Sequence, residues 1–146
     1  MTVSAPAPAA PHTDAFKAAL LAADIAVDVA VAPAGAGWQG EPDDSAFVPY
    51  GVLFPSPGHT DGDLSDPNTY FDYEVQLTVV GATAGQAERL LDLVKATLVG
   101  RQLAVTGRNS YRVQLEEGGR PLTRDETVQP PEYYSSVLLS LRTGPA

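Results

Sequence analysis

Cysteine is missing from all 146 residues, which excludes disulfides, thiolate metal sites and thiol chemistry. Histidine is scarce, with only His12 and His59, and positive charge is scarce too, since nine Lys and Arg stand against eighteen Asp and Glu. The shortage is uneven: residues 1–88 hold twelve acids and one base, Lys17, whereas residues 89–146 hold eight bases and six acids. A net charge of −9 argues against tight nucleic-acid binding, because a protein that grips phosphates needs a basic patch to displace their counterions. Long apolar runs are also lacking. The most apolar stretch, Ala18 to Ala32, contains Asp24 and Asp28, each costly at a bilayer centre, so no membrane span is expected. The opening MTVSAPAPAAPHTD has neither the basic nor the apolar region of a secretory signal, and its Ala/Pro alternation reads as a disordered, partly extended arm over residues 1–12.

Site chemistry is thin as well. His12 falls in the arm and His59 in a loop, and neither has a recognisable catalytic partner. Ser110, Ser135, Ser136 and Ser140 lie in or beside expected strands without a G-x-S-x-G elbow. Gly81 and Gly85 bracket a helix start, but no lysine follows to make a phosphate loop. Asp61, Asp63, Ser65 and Asp72 fall at positions 1, 3, 5 and 12 of a calcium loop. Position 6 is nonetheless Asp66 where the sharp turn needs glycine, and position 12 lies in an alternating strand rather than at a helix start. These residues read as solvated turn aspartates. The expectation is a protein that is not an enzyme and holds no cofactor or metal.

What the chain does contain is regular structure. Phe71, Tyr73, Val75, Leu77 and Val79 alternate with Asp72, Glu74, Gln76 and Thr78, the period of a strand with one buried and one wet face. After Gly81 the period changes: Thr83 and Gln86 have the spacing of a capping box, and Ala87, Leu90, Leu91, Val94 and Leu98 follow at helical intervals until Gly100. Upstream, Thr13 or Asp14 is placed to cap a first helix carrying Phe16 and Leu20, and Ile25 to Val31 alternate as a strand. Pro33 to Gly40 reads as linker, Val48 to Phe54 as a strand with Pro49 at an edge or beginning, and Pro55 to Thr69 as a long loop. Short strands are expected at Arg101 to Val105 and Tyr111 to Glu116. A final strand is expected from Tyr133 to Arg142, with Tyr133, Val137, Leu139 and Leu141 inward. The fold class is therefore α+β: a single domain over residues 13–143, with a mixed or antiparallel sheet and two helices mainly on one face.

The uneven charge suggests that the acidic part of one copy meets the arginine-bearing part of the next. Candidate interface residues are Asp61, Asp63 and Asp66 in the loop, and Arg101, Arg108, Arg112, Arg120 and Arg124 downstream. Trp38, alone in a glycine-rich segment, is either a docking anchor or a lid over the core.

Three motifs in order carry a further likeness. They are the alternating strand ending in Val79-Val80-Gly81, the Thr83-x-x-Gln86-Ala87 helix and the Gly100-Arg101-x-Leu103 exit, with Val48 to Pro55 before them and Arg124 to Tyr134 after. Together they resemble the tail terminator proteins of long, non-contractile-tailed bacteriophages. That resemblance implies a structural virion protein that forms a ring, hexameric in the family, on the last ring of the tail tube. The ring stops polymerisation and meets the head connector, at the neck of a virion assembled in the host cytoplasm. Its partners would be copies of itself, the tail tube protein and the connector or head completion protein, with DNA passing through the lumen unbound. Two other readings stay open: a different neck component such as a head completion protein, and a small non-catalytic binding module using the acidic loop 55–69.

Overall fold

The computed structural model describes residues 3–146. In chain order its elements are α1 (Ala10–Ala22), β1 (Ala26–Val29), β2 (Gly37–Trp38), β3 (Phe47–Val48), β4 (Tyr50–Pro55), β5 (His59–Asp61) and β6 (Tyr70–Gly81). These are followed by α2 (Ala84–Leu98), β7 (Arg108–Ser110), β8 (Gln114–Glu116), β9 (Thr123–Asp125) and β10 (Glu132–Pro145). The path β1-β4-β6-β10-β7 forms the main sheet, with β5 on β6 and β8 and β9 on β10; β2 and β3 make a separate ribbon. Only β1 and β4 run parallel, so of the two expected arrangements, mixed or antiparallel, the sheet is the mixed one.

The long strand and helix stand where their periods place them. Along β6 the odd positions from Phe71 to Val79 are buried, and β10 pairs antiparallel to it, so Val137, Leu139 and Leu141 land on the same face. Phe16 and Leu20 of α1, and Leu90, Val94 and Leu98 of α2, join these strand residues in one core. Both helices therefore cover a single face of the sheet. The Thr83 hydroxyl accepts from the Gln86 amide at 3.1 Å, while the Gln86 side-chain oxygen accepts from the Ala82 amide at 2.7 Å. Two orphan donors are satisfied this way, with the return bond reaching one residue further back than in the usual box. Gly81 closes the strand-to-helix turn so tightly that a Cβ there would lie 2.7 Å from the Ala87 nitrogen.

Elsewhere the expectations need correction. The first helix starts at Ala10, not behind a Thr13 or Asp14 cap; Ala9 stands at the cap position and Pro sits in the first turn. Thr13 is buried, with its hydroxyl 2.5 Å from that of Tyr73. His12, expected in a mobile arm, is 0% exposed. The reason is tertiary, since the inner face of β6 and the end of β10 offer it polar and aromatic partners that nothing in its local sequence announces. The first strand stops at Val29 because Ala30 turns to a φ of 58°, leaving Val31 exposed. The segment expected as linker contains β2, and Pro49, which cannot donate to a ladder, separates β3 from β4. Part of the long loop forms β5. Residues 101–105 contribute only a bridge from Gln102 to Arg112, and Tyr111 to Glu116 is strand only from Gln114. Tyr133 is half-buried, while Ser135 and Thr143 complete the inner face.

Candidate assembly surfaces

Beyond the helix-covered face, the chain presents a helix-free face and two margins. On the helix-free face, Asp72 of β6 stands opposite Arg142 of β10, and His59 of β5 stands opposite Asp72. Arg142 donates to both Asp72 oxygens, at 2.8 and 2.9 Å, and to Asp61 at 2.5 Å. One guanidinium thus staples three strands, with its planar fork matched to a carboxylate. Its hydrogen bond holds the Asp72 carboxyl below the usual range, and the two carboxylates push the arginine pKa up. Arg142 also lies over the Tyr70 ring, 5.1 Å from its centre. Sequence reasoning passed over this staple: both residues sit at outward positions of their strands, but only the pairing register brings them together.

Next to the staple lies a cavity of about 310 Å³ whose lining includes His59, Glu74, Arg112, Glu116 and Ser140. Ser140 donates to Glu116 at 2.6 Å. The calcium-loop residues do not converge on it. Asp61 and Asp72 face Arg142, while Asp63 turns into its own loop and accepts from the Ser65 hydroxyl at 2.6 Å and the Ser65 and Asp66 amides. The Ser65 bond is the main cause of the lowered Asp63 pKa. Asp66 accepts from the Ser4 hydroxyl at 2.6 Å, the main cause of its own lowered pKa, and from the Asn68 amide. Each of the three loop acids is therefore bonded within the chain.

The arginines divide. Arg108 is taken up internally, donating to the Thr143 hydroxyl and carbonyl and to the Thr69 carbonyl. These bonds tie the end of β10 to the start of β6, and Arg108 also lines the trough beside β7. Arg112 donates to the Gly100 carbonyl at 2.8 Å but remains exposed. Arg101 is exposed and has no ion-pair partner among the described residues. Exposed Arg120 lends its backbone to Ser136, and Arg124 of β9 reaches Glu126 at 3.5 Å. Arg112 lines a shallow trough that begins next to Arg101, at Gln102, whereas Arg120 and Arg124 lie along the other half of β10.

Trp38 belongs to the small ribbon. Its ring meets Phe47 edge-on at 5.2 Å, and Phe47 stacks on Tyr50 at 6.3 Å. Trp38 is half-buried, and its buried Nε1 has no hydrogen-bond partner among the described residues.

No family model matches the chain, and no curated protein matches it in sequence. Solved structures similar in fold include two that match over nearly the whole chain. One is a chain from the virion of a native gene transfer agent particle, 13% identical, covering 94% of this chain and 92% of that one with a TM-score of 0.50. The other, whose name says nothing of function, is 16% identical, covering 92% and 94% with a TM-score of 0.51. At these identities the likeness is one of fold, and it extends over nearly the whole chain.

Proposed function

We propose that this chain is a structural component of a phage-like virion, and within that class a tail terminator. Copies of it close into a ring, hexameric in the family it resembles, on the last ring of the tail tube. There the ring ends polymerisation and offers its far surface to the head connector. No reaction is involved. The observation that carries the reading is the near full-length fold likeness to a chain of a gene transfer agent virion, since such particles are built of subunits that recognise copies of themselves and one another. The order of the strand, capped-helix and exit motifs favours the terminator role within that class.

The mechanism would be geometric. Head-to-tail contacts between identical subunits generate a ring when the rotation closes, and a face that lacks the tube protein's donor surface leaves nothing for a further tube ring to grip. With a charge of −9 on each copy, a lumen through such a ring would let a polyanion pass rather than hold it. The experiment is to incubate the purified chain with isolated tail tubes and with isolated capsids. Binding as a ring to one end of the tubes, with tube elongation arrested, is the expected result. Binding to capsids alone would favour a head completion protein instead, and binding to neither would overturn the virion reading.

A further inference from the structure

Leu64 is the most exposed large apolar side chain among the described residues, at 105% of its reference area. It is also firmly held out. Asp63 fixes the turn around it through the three bonds from Ser65 and Asp66, and a Cβ on Gly62 would collide with the Asp66 carbonyl, so the tip closes on its own backbone. Below the tip, Arg142 pins β5 to the sheet. An apolar knob presented on a fixed base loses little freedom when it docks.

The opposite margin carries a complementary feature. Around β7 lies an open trough of about 890 Å³ whose lining includes Leu103, Ala104, Asn109, Tyr111 and Arg112. Tyr111 is 50% exposed, and Arg101 and Arg112 supply positive charge beside it. The knob carries Asp61, Asp63 and Asp66. Register puts β5 and β7 in one row: Thr60 pairs with Phe71, Phe71 with Thr143, and Thr143 with Ser110. This row crosses β5, β6, β10 and β7, roughly 14 Å from first to last at the usual strand spacing. The strand that carries the knob and the strand beside the trough thus occupy opposite margins of the sheet.

We infer that Leu64 of one copy seats in the trough between Ala104 and Tyr111 of the next, steered by the loop aspartates toward Arg101 and Arg112. The inference rests on the ring reading and names its lateral contact. A knob and a hole on different surfaces make a heterologous contact, which closes into a ring when the rotation between copies permits. Hot spots of this kind combine a buried apolar anchor with surrounding polar contacts that exclude water.

Because the chain has no cysteine, crosslinking is clean. The double variant Leu64→Cys with Ala104→Cys, oxidised at concentrations where the chain assembles, should give a ladder of linked species ending at the closed ring, while each single variant gives nothing beyond dimer. Separately, Leu64→Asp should weaken association by about tenfold or more in sedimentation, with an unchanged thermal melt of the monomer. Rings that form normally in Leu64→Asp and yield no ladder in the double variant would overturn this contact and leave the ring reading standing. A wild-type chain that stays monomeric at every concentration and on tail tubes would overturn both.

Discussion

Thr13 and Thr83 stand near the starts of the two helices that cover the sheet, and the same side chain serves opposite ends in them. Thr83 works locally, accepting from an amide three residues on, so that α2 is specified by its own first turn and its apolar stripe. Thr13 works at long range. Its hydroxyl is buried against Tyr73, and beside it His12 places Nδ1 3.0 Å from the Pro8 carbonyl and Nε2 2.7 Å from the Thr143 hydroxyl. In the neutral tautomer that fits, Nδ1–H donates to Pro8 and Nε2 accepts from Thr143, whose oxygen in turn accepts from Arg108. The His12 ring packs on Phe71 at 4.7 Å and Tyr73 at 5.5 Å. One helix is therefore written into its sequence, and the other is held by the sheet it covers.

The largest expected effect would break the local side of this comparison. Gly81→Ala puts a methyl group against the Ala87 backbone, where no flexible side chain can yield, and should cost about 3 kcal/mol or more. A melt within error of wild type would show that the turn relaxes and is not a fixed joint. Next comes the apolar stripe. Leu98 is fully buried, so Leu98→Ala should cost about 2–5 kcal/mol, whereas half-buried Leu91 should cost clearly less, which narrows the stripe read from the sequence.

The two threonines sharpen the contrast directly. Thr13→Val leaves the Tyr73 hydroxyl buried without its partner, an expected loss of about 1–3 kcal/mol. Thr83→Ala should lose around 1 kcal/mol through the missing cap. Chemical denaturation of both variants in one buffer tests the order, and a larger loss at Thr83 would reverse the argument. His12 adds a pH signature. Burial, the largest cause, lowers its pKa from the ordinary 6.5, with Arg108 acting in the same direction. The unfolded chain therefore takes up a proton that the folded chain refuses. Stability should be fullest above pH 6.5 and fall as pH drops below it, by at most about 1.4 kcal/mol per pH unit until the folded value is reached. His12→Gln should flatten that slope below pH 6.5, and an unchanged slope would move its origin elsewhere. The smallest effect belongs to the surface. Exposed ion pairs contribute under about 1 kcal/mol each and are screened beyond roughly 8 Å in physiological salt. Association should thus weaken only modestly across a salt series followed by sedimentation, and complete indifference to salt would remove charge from the account of assembly.

The same division explains what could be read in advance. β6, α2 and the inner positions of β10 declare themselves through period and capping, because the signals lie within a few residues of one another. The Arg142 staple, the Arg108 tie and the His12 cluster do not, because their partners lie 70, 35 and 131 positions away and meet only once register is set. Ala/Pro alternation around His12 pointed to an arm, and nothing nearby signalled that Thr143 would meet it. β5 and the β2–β3 ribbon are two or three residues long, too short for alternation to distinguish them from loop. Asp61, Asp63 and Asp66 were legible as a group. Their internal bonds, and Leu64 held out among them, were not.

β10 has one more consequence, in time rather than space. It is the last strand in the chain, yet β6, β7, β8 and β9 all pair with it. During synthesis β6 and α2 leave the ribosome early, and the long inner edge of β6 waits with its amides unpaired until residues 132–145 emerge. The three short strands between have no sheet to join before then, since each meets only β10. Sheet closure is thus a single late step, dominated by contacts distant in sequence and slow for that reason. Until then, copies on neighbouring ribosomes would expose the same unpaired edge of β6 to one another.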